Sequence, residues 1–105
     1  MFKKICIIGC GLIGSSLARA IKKNNLAEKI VSSNRSDAVN KKVIELKIVD
    51  DSSSDTKKMV DGSDLVVIAT PLSSYEDVIS KIKNSLKDGV ILTDVGSVKE
   101  NIINL

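Results

Sequence analysis

Three glycines in Gly9-Cys10-Gly11-Leu12-Ile13-Gly14 stand at a spacing suited to wrapping backbone around an anion. An apolar run, Ile5-Cys6-Ile7-Ile8, precedes them, and Ser15-Ser16-Leu17-Ala18-Arg19-Ala20-Ile21 follows. The segment therefore reads as strand, glycine turn, helix. A helix that begins at such a turn presents unpaired N–H groups and a partial positive charge, and a pyrophosphate satisfies both. Gly9 suits the tight turn, Gly11 the close approach of backbone to phosphate, and Gly14 the packing of helix on strand. The alternative is a glycine turn that binds nothing, which leaves the entropic cost of three glycines unexplained.

The residue that reads the ribose of such a dinucleotide stands about twenty positions past the last glycine, at the end of the second strand. That count from Gly14 falls on Asn34, followed by Arg35 and Ser36. A carboxylate at this place repels a 2′-phosphate; an amide does not. A guanidinium beside it pairs with the phosphate and lies on the adenine face. One charged hydrogen bond contributes roughly 1.5–3 kcal/mol, enough for a preference of about tenfold to a hundredfold. The expectation is NADP, with NAD as the alternative; Arg35 as the solvated start of a loop is the bland reading.

Other chemistry is thin. The chain has no histidine, the usual base near neutral pH. Its two cysteines, Cys6 and Cys10, do not match a zinc spacing. They read as reduced thiols of a cytoplasmic protein. The net charge of +3 is spread in scattered or paired lysines, and one Tyr, one Phe and no Trp offer no platform for stacked bases. Neither nucleic acid nor membrane is expected as a partner: no apolar stretch is long enough to cross a bilayer, and no signal peptide is recognisable.

At 105 residues, 43% hydrophobic and 28% charged, the chain suits one soluble domain with a real core. Strand and helix patterns alternate along it. Strands are expected at Lys3–Ile8, Glu28–Ser33, Ile48-Val49, Leu65–Ala69 and Val90–Thr93. A helix at Ile13–Asn24 would turn Ile13, Leu17, Ala20 and Ile21 to one face. A second, from about Asp37 with Ser36 or Asp37 as its cap, would use Val39, Val43, Ile44 and Leu46. Asp51–Asp55 reads as a polar loop before a short helix at Thr56–Val60. Ser73 and Glu76 form a capping box for a helix through Val78, Ile79, Ile82 and Leu86, and another helix begins near Lys99. The pattern implies right-handed crossovers and a Rossmann-type, doubly wound parallel sheet of order 3-2-1-4-5. Four loops then converge beyond the strands' carboxyl ends: Gly9–Gly14, Ser33–Ser36, Ala69–Ser73 and Asp94–Ser97.

Three segments together resemble the prephenate and arogenate dehydrogenase family of tyrosine biosynthesis. They are Ile8 to Ala18, Ala69-Thr70-Pro71-Leu72, and Thr93-Asp94-Val95-Gly96-Ser97-Val98-Lys99. The last is the most particular, and the likeness covers the whole chain. It implies an oxidative decarboxylation: a hydride leaves the carbon bearing the ring hydroxyl of prephenate or arogenate, the ring carboxylate departs as carbon dioxide, and a phenol forms. By this resemblance Gly9, Gly11, Leu12, Ile13 and Gly14 hold the pyrophosphate, and Thr70 and Pro71 line the nicotinamide ribose side. Ser97 lies near the substrate hydroxyl, though it also stands where a helix cap would.

The sequence departs from the family in two respects. The catalytic histidine of the family's His-Pro segment is absent, as is the helical domain through which its members form homodimers. The chain therefore reads as the cofactor-binding domain of a longer enzyme or as a truncated product, able to bind cofactor weakly and to turn over nothing. The rivals are a related β-hydroxyacid or imine reductase domain and a non-catalytic dinucleotide-sensing module.

Overall fold

Strands and helices alternate into one five-stranded parallel sheet in a computed structural model of the chain, which describes residues 2–9, 11–70 and 75–94. The elements run β1 (Phe2–Ile8), α1 (Leu12–Lys23), β2 (Ala27–Ser33), α2 (Asp37–Glu45) and β3 (Asp51–Ser53). There follow α3 (Thr56–Val60), β4 (Leu65–Ile68), α4 (Tyr75–Ile82) and β5 (Ile91–Asp94). The spatial order is β3-β2-β1-β4-β5, as expected from the alternation. Strand β1 lies at the centre, with Ile5 opposite Ile30 on one side and Leu65 on the other.

A central parallel strand is covered on both faces, so its residues are apolar without a gap. Ile5 and Ile7 pack with Ala18 and Ile21 of α1 and Val43 of α2. Cys6 and Ile8 point the other way, to Met59 and Val60 at the end of α3 and Ile82 of α4. Burial pushes the Cys6 thiol up to about 12, so it is a small apolar group rather than a nucleophile.

Several elements differ from the sequence expectation. The buried face of α1 is Gly14, Ala18 and Ile21, flanked by Leu17; Ile13 is 42% exposed and Ala20 is also outside. Gly14 sets this rotation, because the helix approaches β1 most closely where no side chain intervenes. On α2 the buried residues are Asn40 and Val43, while Val39, Ile44 and Leu46 are exposed. The third strand is Asp51–Ser53, within the segment expected to be a loop. Ile48 and Val49 are buried in the bends before it and belong to the core without pairing as a strand. A polar strand is stable here because its one buried side chain, Ser52, is hydrogen-bonded on two sides.

Asp64, just before β4, ties three strands together. Its Oδ2 accepts from the backbone N–H groups of Lys3 at 2.6 Å and Lys4 at 3.3 Å. Its other oxygen pairs with the Lys87 ammonium, and its carbonyl accepts from Ile91 N–H at the start of β5. The Lys87 contact above all, then the Lys3 N–H, holds the carboxyl down to about 2.

Candidate functional site

The carboxyl ends of β1, β2 and β4 open onto a cavity of about 500 Å³, the size of a small-molecule site. Of the residues singled out in the sequence, Gly9, Gly11, Asn34, Arg35, Ser36 and Thr70 line it. Two others have different surroundings: Ile13 is exposed on α1, and Gly14 is buried on the side of α1 that meets Gly9 and Ile7. Leu12 is the first residue of α1. Cys10, Pro71, Ser97, the Ser73 cap, most of the Asp94–Ser97 loop and the helix from Lys99 lie outside the described residues.

The three glycines have separate reasons to be glycine. Gly9 has φ +84°, and a Cβ there would lie 2.8 Å from Thr70 Cγ2. A Cβ on Gly14 would lie 2.8 Å from the carbonyl oxygen of Gly9. Both are required by the protein itself. Gly11 has an ordinary φ of −81° and nothing within 4 Å of an added Cβ, and it faces the cavity. Among the described residues neither backbone strain nor packing explains it.

Helix ends point the same way. Ser36 Oγ caps α2 by accepting from Val39 N–H, and Asp55 caps α3 by accepting from Lys58 N–H. The N-cap of α1 is Gly11, which brings no side chain, and no acidic residue lies in its first turn. No side chain among the described residues caps these N–H groups, the arrangement that suits an anion at a helix end.

Across the cavity, Arg35 is exposed, and its guanidinium makes no hydrogen bond or ion pair among the described residues. Asn34 is half-buried, and its amide Nδ2 donates to Asn40 Oδ1 at 2.9 Å. Thr70 Oγ1 is buried without a partner among the described residues, which is costly unless a ligand supplies one.

Other lining residues were not singled out in the sequence. Ser54 and Thr56 follow β3, and Ser33 Oγ lies 2.9 Å from Thr56 Oγ1. Placing the strand at 48–49 hid them, because the informative loop is the one after the true strand end. Val39, read as a core position of α2, lines the cavity instead, with Val78 of α4 as a second apolar wall. Asp77 and Lys81, one turn apart on α4, complete that side; the apolar spacing of the helix drew attention to Val78 and away from them. Among the described residues there is no cluster of metal-ligating side chains and no helix long and apolar enough to cross a membrane.

A parallel sheet of this order, with an uncapped helix end and a glycine turn at its carboxyl margin, defines a Rossmann-type nucleotide-binding domain. The family described as prephenate dehydrogenase, nucleotide-binding domain, matches residues 17–105, and the chain belongs to it. The chain is 38% identical over 104 residues to a prephenate dehydrogenase of Lactococcus lactis, covering 98% of itself and 29% of that protein. It is 36% identical over 103 residues to a cyclohexadienyl dehydrogenase of Zymomonas mobilis, covering 98% of itself and 35% of that protein. The chain thus spans about a third of the length of these relatives. A crystal structure of A. aeolicus prephenate dehydrogenase, in complex with hydroxyphenyl propionate and NAD+, superposes with a TM-score of 0.82 at 20% identity, over 90% of this chain and 33% of that one. That likeness bears on the fold.

Proposed function

We propose that this chain is the cofactor-binding domain of an NADP-dependent dehydrogenase that oxidatively decarboxylates prephenate or arogenate in tyrosine biosynthesis. The observation that carries the cofactor reading is Gly11: a glycine at an uncapped helix end, facing a cavity, with no cause among the described residues. The residues present fit the group. Gly9 and Gly11, with the backbone at Leu12, Ile13 and Gly14, would cradle the pyrophosphate, and a ribose hydroxyl would give Thr70 Oγ1 a partner that the described residues do not supply.

The choice of NADP rests on Asn34 and Arg35. No carboxylate stands at position 34, and the Arg35 guanidinium is available to a 2′-phosphate. Ser36 Oγ accepts from Val39 N–H in the α2 cap and keeps its own proton to donate, which suits a phosphate acceptor. Val39 and Val78 offer apolar surface to the adenine.

When bound, the nicotinamide accepts a hydride from the substrate carbon. The chain's part is to fix the dinucleotide and, through Pro71 and Ser97, to meet the nicotinamide ribose and the substrate hydroxyl. With no histidine among the 105 residues, an imidazole base for the hydroxyl proton must come from outside them. Homodimerisation through a helical domain and a cytoplasmic location belong to the same reading.

Calorimetric titration of the 105-residue chain with each cofactor tests it. NADP should bind more tightly than NAD, and Arg35→Ala should weaken NADP by about tenfold to a hundredfold and NAD far less. Equal weakening of both would remove the NADP assignment. Adding prephenate or arogenate to the chain with NADP should give no steady rise in reduced cofactor; sustained turnover would show that a base lies within the chain.

A further inference from the structure

We infer that Asn40 is a positioning residue for cofactor choice: it obliges position 34 to carry an amide and excludes the carboxylate that would grip a ribose diol. This rests on the NADP reading of Asn34 and adds a second residue to it. Asn40 lies on the buried face of α2, and its side chain meets three partners. Its Nδ2 donates to the backbone carbonyl of Asn34 at 3.0 Å. That carbonyl only accepts, so the orientation of the Asn40 amide is settled and its Oδ1 is the atom facing the Asn34 side chain. This oxygen accepts from Asn34 Nδ2 at 2.9 Å and from Ser52 Oγ at 2.5 Å.

Asn34 Nδ2 also lies 3.4 Å from Ser32 Oγ and from Ser52 Oγ, and the short contacts set the hydroxyl directions. The single proton of Ser52 goes to Asn40, so in the 2.7 Å contact between Ser32 and Ser52 it is Ser32 that donates. Ser32, Ser52 and Asn40 are all buried, so water cannot compensate a reversed bond. A carboxylate at position 34 brings an oxygen, with no proton, against Asn40 Oδ1. Turning the Asn40 amide over does not help. It would set Oδ1 against the Asn34 carbonyl and would take away the acceptor that Ser52 uses.

The residue that distinguishes the two cofactors is therefore locked by one that touches neither. Changing Asn34 alone cannot build a ribose grip, because the new carboxylate is opposed from behind. The opposition is removed only when Asn40 is changed as well.

The test compares Asn34→Asp in two backgrounds, with Asn40 intact and with Asn40→Ser, by calorimetry with NAD and by urea unfolding. With Asn40 intact, Asn34→Asp should leave NAD binding no tighter and lower the folding equilibrium constant about tenfold. In the Asn40→Ser background the same change should tighten NAD about tenfold and cost little stability. A merely structural Asn40 would not move NAD affinity in this way. Asn34→Asp tightening NAD equally in both backgrounds, or costing equal stability in both, would overturn the inference. Asn40→Ala serves if Asn40→Ser does not fold. If neither folds, Asn34→Asp alone decides: tighter NAD binding overturns the inference, and no tightening supports it. Tighter binding of NAD than NADP by the unaltered chain would sink the NADP reading instead, while the two-background comparison would still decide the role of Asn40.

Discussion

Gly11 and Gly14 are one residue type three positions apart, present for different reasons, and substitution separates them. Gly11→Ser puts a good capping side chain into open space at the start of α1. Folding stability should hold or rise by up to about 1 kcal/mol, yet NADP should bind at least about tenfold more weakly, because the hydroxymethyl group occupies the phosphate's approach. Gly14→Ala puts a methyl group 2.8 Å from a backbone oxygen that cannot move aside cheaply. It should cost about 2 kcal/mol in urea unfolding before any ligand is added. At this scale the glycines were legible in the sequence, because spacing and the adjoining apolar run state the motif. Asn34 was legible only in part. Its lack of charge could be read; its commitment to Asn40 could not, since nothing in a six-residue separation reveals that α2 turns a polar side chain inward. The buried Thr70 hydroxyl was equally invisible, because burial is a property of the neighbours.

Among the elements, those announced by apolar runs were found, and the polar one was missed. β1 and β4 are buried on both faces and must be apolar, so their sequences betray them. β3 is a three-residue edge strand whose buried serine is satisfied by hydrogen bonds, and a polar strand carries no such signal. The buried face of α2 departs from its apolar spacing for the same reason: an asparagine takes a core position, and three apolar residues are left outside. Asp64 offers a test of how the elements are joined. Its carboxyl lies at about 2 in the folded chain against 3.8 as the ordinary value. The folded state thus releases the proton more readily, and its contribution to stability is whole above 3.8 and lost as pH falls through about 2. Asp64→Asn should melt at a lower temperature than the unaltered chain at pH 7, and the gap should close as both are taken towards pH 2. A gap of constant size across that range would mean that the carboxylate's charge is not what secures β1 to β4 and β5.

For the whole molecule, alternation and handedness imply a parallel doubly wound sheet, and the glycine turn after the first strand points to the order found, which is why this was the most legible level of the structure. Binding that engages the folded state raises its stability by mass action. NADP at about a hundred times its Kd should add about 2.7 kcal/mol, a rise in melting temperature on the order of 10 °C for a chain of this length. NAD at the same concentration should give the smaller rise, and equal rises would argue against selection at the 2′ position. The serines around Asn40 have one more consequence, for how the molecule behaves in a crowd. The margin of a sheet is where one polypeptide can recruit another into an aggregate. Here β3 forms that margin with three residues, an exposed carboxylate and two hydroxyls, one of them turned inward. So short and hydrophilic a border gives an incoming strand little to extend, and Ser52, which serves Asn40 from its inner face, is part of that same border.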